Sequence, residues 1–152
     1  MCIKNALTVL VLLFTFSVNA QIQILDIGPE WKSKIEKAIR VIEKYDPAKY
    51  QILIQECKQI DFGLVSFATS DGNSVIVLPV EVMNRGCIND IAACLVHESL
   101  HIRIHKSGKK IDPDTEEVIC YQWELDFLNH LPKPEPWLIE NARYQIIVYS
   151  SK

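Results

Sequence analysis

His97, Glu98 and His101 stand in the stretch His97-Glu98-Ser99-Leu100-His101, two histidines four residues apart with a carboxylate beside the first. On a helix, residues four apart lie on one face, one turn from each other. Both imidazoles then point the same way and can hold one metal ion in the geometry zinc accepts. Glu98 lies one position round from His97, beside the ion and not on it, where it can take a proton from a water at the metal. The helix flanks are apolar (Ile91, Leu95, Val96, Leu100, Ile102), which gives such a site a dry and rigid setting. The plain alternative is a surface helix whose histidines are solvated or bonded to nearby carboxylates.

A hydrolytic zinc site needs a third protein ligand and an open position for water. His105 continues the histidine face, but eight residues of helix span about 12 Å at 1.5 Å rise, too far for one ion. The third ligand therefore belongs to another element, and the next apolar segment offers Glu116, Glu117 and Glu124. Glu117 is the preferred ligand, sharing a face with Glu124 and Tyr121. Glu116 and Glu124 remain as alternatives, because spacing alone does not choose. Two of the three also have a structural use: Glu117 sits at a capping-box position if Asp114 caps, and Glu116 is a first-turn carboxylate favoured by the helix dipole.

The elements that would position these groups follow from hydrophobic spacing. Ile35, Ala38, Ile39 and Ile42 recur at helical spacing after Pro29, and Pro47 ends the run. Tyr50 to Ile60 is β-rich, with alternation around Ile52 and Ile54. Two further apolar runs flank Ser70-Asp71-Gly72-Asn73, a strong hairpin signal. Three antiparallel strands are expected, the last closed by Pro79 and lying at or near an edge. The His97 helix starts after the stretch Gly86 to Asp90, capped by Asn89 or Asp90, and runs without a breaker to Gly108. A further helix runs from about Glu116 to Leu131 with Asp114 or Thr115 as cap, and a last helical stretch follows Pro136. The fold class is α+β, with about three strands and about four helices.

Composition sets the outer limits. The 152 residues fit one domain, and 49% hydrophobic with 23% charged residues imply a packed core. A formal net charge of -3, with no Lys/Arg run beyond Lys109-Lys110, argues against a nucleic-acid partner. Lys4 precedes an uncharged apolar run, Ala6 to Val18, and Val18 and Ala20 suit a cleavage site ahead of Gln21. Residues 1–20 read as a secretory signal peptide, and residues 21–152 as one exported domain, secreted or periplasmic. The apolar run falls short of the roughly 20 residues a spanning helix needs, so stable membrane insertion after cleavage is not expected. Cys57, Cys87, Cys94 and Cys120 are an even number in an exported chain, which suggests disulfides in one of three pairings.

On His97, Glu98, His101 and Glu117 the chain resembles the zincin metallopeptidases, and within them the gluzincin branch, which joins an HExxH helix to a later helix bearing a glutamate ligand. Cys120, three residues after Glu117, matches the small residue often found there. The likeness runs from the hairpin to about Leu131. It implies an HExxH helix packed on the sheet, Zn2+ as cofactor, and a peptide or protein substrate. It also implies that a strand before that helix, here Asn73 to Pro79, pairs with an extended substrate. Two features depart from the wider group. Ile104 and Ser107 stand where the metzincins carry glycine and a third histidine, and Tyr121 stands where larger gluzincins carry an aspartate. The expected function is an exported zinc-dependent peptidase with Glu98 as general base. Tyr121, His105, His130 and Tyr144 are candidate oxyanion donors. The rival is an exported binding protein on the same framework without catalysis. If the two site helices pack through the metal, Cys94 and Cys120 could approach closely enough to form a staple.

Overall fold

The structure is a computed structural model that describes residues 22–25, 28–85 and 87–151. The signal-peptide segment lies outside the described residues. The chain is mixed α+β, mostly helical. Its elements run β1 (Gln23–Ile24), α1 (Pro29–Tyr45), α2 (Pro47–Glu56), β2 (Gln59–Gly63), β3 (Phe67–Ala68), β4 (Val75–Pro79), α3 (Val80–Arg85), α4 (Ile88–Lys106), α5 (Pro113–His130) and α6 (Pro136–Ser150).

α1 forms where its spacing says it should: Pro29 occupies the first turn, and Ile35, Ala38 and Ile42 make its buried stripe. Tyr50 to Ile60 corrects the expected strand. Asp46 caps a new helix, its side chain accepting from the Lys49 N–H, and Pro47 presets the first turn. The helix α2 then runs to Glu56 with Ile52 and Leu53 buried, and β2 begins only at Gln59. A four-residue alternation was too short to outweigh a cap and a proline that together start a helix.

The sheet has four strands in the order β1-β2-β4-β3. β1 pairs with β2 and β2 with β4 in parallel, while β3 and β4 form the antiparallel hairpin around Gly72. The expected all-antiparallel sheet is thus corrected: β4 inserts between β2 and β3 and takes partners on both sides. Pro79 does not mark an edge. It is the last residue of an inner strand, opposite Gly63, where its missing N–H removes no further rung. The edge beside the hairpin is β3.

α4 is the axis of the core. Ile91, Ala92, Leu95, Val96, Ser99 and Ile102 are all fully buried, on more than one face, and α1, α2, α5 and the sheet pack around it. Small Ala92 and Ala93 let neighbours approach closely. The helix begins at Ile88 with Cys87 as N-cap and no side-chain cap bond, so Asn89 and Asp90 sit inside the first turn. α5 starts three residues earlier than expected, at Pro113, with Asp112 accepting from the Thr115 N–H. That shift removes Glu117 from the capping box and leaves its carboxylate for another use. Among the described residues six helices replace about four, α2 and α3 being the additions.

The four described cysteines are unbridged thiols. Among the described residues neither a Cys94–Cys120 staple nor another pairing forms. Cys57 donates to the Gln59 carbonyl, and Cys120 turns toward the imidazoles of α4 instead of toward a second sulfur.

Candidate metal centre

α4 presents His97 and His101 one turn apart, and α5 crosses it with Glu116, Glu117 and Glu124. The two Nε2 atoms of the histidines stand 3.2 Å apart. The Glu117 carboxylate straddles them, Oε2 at 3.4 Å from His97 Nε2 and Oε1 at 3.4 Å from His101 Nε2. Donor atoms bound tetrahedrally at 2.0 to 2.1 Å from one ion stand about 3.3 to 3.4 Å apart. Each of the three measured spacings therefore matches that between donors to one ion, with a different oxygen of Glu117 facing each ring.

The other two glutamates take the other ring nitrogens. Glu124 Oε2 lies 3.0 Å from His97 Nδ1, and Glu116 Oε1 lies 2.5 Å from His101 Nδ1. A carboxylate accepts only, so each Nδ1 carries the proton it donates, and each Nε2 is the ring nitrogen that faces the common centre. Glu116 Oε1 also lies 2.9 Å from His105 Nε2 on the half-exposed next turn.

Glu98 is 4% exposed. Ser66, in the loop before β3, donates to its Oε1 across the cleft. Glu98 Oε2 is buried with no hydrogen-bond partner, which is costly unless something in the site uses it. Burial raises the Glu98 carboxyl above its ordinary range, against the pull of His97, Ser66 and His101. For His97, burial acts to lower the pKa, but Glu117 and Glu124 override it and hold the ring near 9. A proton and a metal ion compete for the same nitrogen there.

The site opens to a cleft of about 430 Å³ bordered by Ser66, Phe67, Ala68, His105, Tyr121 and Tyr149. Three glutamates and three histidines line it, and no lysine or arginine does. The Tyr121 ring sits edge-on to His97 at 4.4 Å between centroids and stacks on Tyr149 at 5.9 Å. Burial raises the Tyr121 hydroxyl well above its usual range, with Glu124 and Glu117 adding to it, so it stays a donor.

Of the expected site residues, the structure brings His97, Glu98, His101 and Glu117 together, with Glu116 and Glu124 behind the two rings. Tyr121 and His105 line the cleft. His130 does not: its Nδ1 lies 2.9 Å from Asp46 Oδ2, in a second cluster with Asp126 whose centre Lys49 Nζ fills at 2.7 and 2.5 Å. Tyr144 is exposed and borders no part of the cleft. Ser66 and Tyr149 were missed, since no local spacing ties a loop serine or a C-terminal tyrosine to α4. The sequence marks Cys120 as a disulfide partner and as the small residue after Glu117, and the structure places its Sγ within 4.8 Å of a ring nitrogen of both histidines. Among the described residues no helix is long and apolar enough to cross a membrane. No protein-family model, curated protein or solved structure matches the chain.

Proposed function

We propose that the chain is a zinc-dependent metallopeptidase of zincin type, in which His97, His101 and Glu117 hold the ion and Glu98 is the general base. The observation that carries this reading is the pair of Nε2 atoms 3.2 Å apart, each with one oxygen of the bridging Glu117 carboxylate at 3.4 Å. The cleft around it has three glutamates and no lysine or arginine, so a divalent ion in place of the proton on His97 suits its charge. When bound, zinc supplies Lewis acidity for a carbonyl and makes water a nucleophile near neutral pH.

The chain's own groups divide the remaining work. Glu124 and Glu116 fix the tautomer and plane of His97 and His101. Glu98, raised by burial, suits taking a proton from water and passing it to the leaving amine. Ser66 holds its carboxylate toward the cleft. Tyr121, His105 and Tyr149 are donors on the wall for the substrate's carbonyl oxygen. The free outer edge of β3, not β4, borders the cleft, so an extended peptide would pair along Phe67–Ala68. The substrate is a peptide or protein met outside the cytoplasm, given the leader-like residues 1–20.

The test is cleavage of an unfolded protein or peptide library by the zinc-loaded chain, stopped by chelator and restored by zinc. Glu98→Gln should retain zinc and cleave nothing. Cleavage by that variant at the parent's rate overturns the mechanism. Tight zinc with no hydrolysis of any peptide favours the rival, an exported binding protein. The closeness of Cys120 favours that rival specifically, because a fourth protein donor closes the position that water needs.

A further inference from the structure

Cys120 lies on α5 three residues after Glu117 and is fully buried. It stands apart from the apolar cluster that fills the interior, which takes in Cys57 but not Cys120. A free cysteine ordinarily serves as a small apolar filler. This one has Glu117, Glu116, Glu98 and Glu124 as its charged neighbours. Its Sγ and one ring nitrogen each from His97 and His101 all lie within 4.8 Å of one another. Ligand atoms bound to one ion at about 2.05 Å for nitrogen and 2.3 Å for sulfur stand about 3.6 Å apart. Each sulfur–nitrogen separation thus exceeds a ligand spacing by at most about 1.2 Å, and turning about χ1 is the freedom the cysteine side chain has to close it.

We propose that Cys120 is a fourth donor to the cation held by His97, His101 and Glu117, binding it through sulfur. This rests on the reading of those three residues as a metal site. On coordination the sulfur–metal bond forms and the S–H bond breaks, its proton leaving to water. Two nitrogens, one oxygen and one sulfur then surround the ion, a set that closes tetrahedral zinc and suits soft ions such as cadmium better than a two-histidine, one-carboxylate set does. Such a fourth donor would occupy the position that a water needs, so the sulfur-bound form would be a resting state of the same site.

X-ray absorption at the zinc edge of the zinc-loaded protein is the experiment, with cobalt substitution beside it. The expected result is a sulfur shell at about 2.3 Å in addition to the nitrogen and oxygen shell. The cobalt form should show near-ultraviolet thiolate-to-metal absorption that Cys120→Ser loses and Cys94→Ser keeps. Zinc bound by nitrogen and oxygen alone, or absorption lost in Cys94→Ser instead, overturns the proposal and leaves the His97–His101–Glu117 site standing. Failure to bind either metal at all overturns the metal site itself. The zinc-edge measurement needs no substitution, so a variant that does not fold leaves the test intact.

Discussion

Glu116 and Glu117 are neighbours in the chain and serve opposite edges of one ring: Glu116 lies 2.5 Å from Nδ1 of His101, and Glu117 lies 3.4 Å from its Nε2. Helical geometry turns consecutive side chains about 100° apart, and α5 uses that turn to place one carboxylate behind His101 and the other before it. The two should therefore respond differently to substitution. Glu116→Gln and Glu124→Gln should each weaken zinc by roughly 10- to 100-fold, the usual effect of removing a carboxylate behind a ligand histidine. Glu117→Ala should cost more than either. Competition against a chelator of known affinity measures all three, and equal losses would remove Glu117 from the ligand set.

Ser66 gives a second prediction. Its hydroxyl is the hydrogen bond that orients Glu98. Ser66→Ala should leave zinc content unchanged and lower kcat, by less than the roughly 10²- to 10⁴-fold that loss of a general base brings. Ser66→Thr, which keeps a hydroxyl, should recover part of it. A fall in zinc content in Ser66→Ala would mean that the serine shapes the metal centre and not the base.

Asp90 sets a pH dependence of stability. Burial pushes its carboxyl from 3.8 up to about 6, Glu124, Glu135 and Glu81 add to this, and Arg85 opposes it. A carboxyl raised in the folded state favours folding when protonated. Its contribution is present below the unfolded value near 3.9 and is lost as pH climbs through about 6. Asp90→Asn should therefore match the parent near pH 4 and exceed it above pH 7, by on the order of 3 kcal/mol at most. Urea unfolding of both proteins across that range measures the gap, and a gap that stays constant with pH would refute it.

Gly63 ends β2 where the sheet leaves least room. A Cβ there would meet Val77 Cγ1 at 2.9 Å. Gly63→Ala should cost about 1 to 3 kcal/mol through overpacking. Because Gly63 leads into the loop bearing Ser66, it should also disturb Glu98. Adding Val77→Ala removes the clash, and the double variant should be less destabilised than the two single losses added together. Simple additivity in denaturant unfolding would count against the contact.

The two helices that carry the site were readable because their signals are local. His97, Glu98 and His101 fix a face by spacing alone, and the apolar residues around them require burial of that face. Glu117 could be favoured but not separated from Glu116 and Glu124, since the choice depends on how α5 crosses α4. The structure shows all three glutamates at the two rings, one in front and two behind. What stayed hidden depends on distant partners. Parallel pairing of β2 with β4 has no mark in either strand, and Ser66 reaches Glu98 across 32 residues. Asp46-Pro47 was legible as a stop, and its second role as a helix start was overlooked because Ile52 and Ile54 alternate.

The cleft that Glu98, Glu116 and Glu117 line without any lysine or arginine has a practical result at the bench. It should scavenge. Copper outcompetes zinc at most nitrogen and oxygen donor sets, and availability decides among the rest, so on the proposed reading a preparation eluted from a nickel resin should carry the column's metal. The ion found after purification then reports the history of the sample, and only reconstitution from a stripped, metal-free stock reports what the site selects.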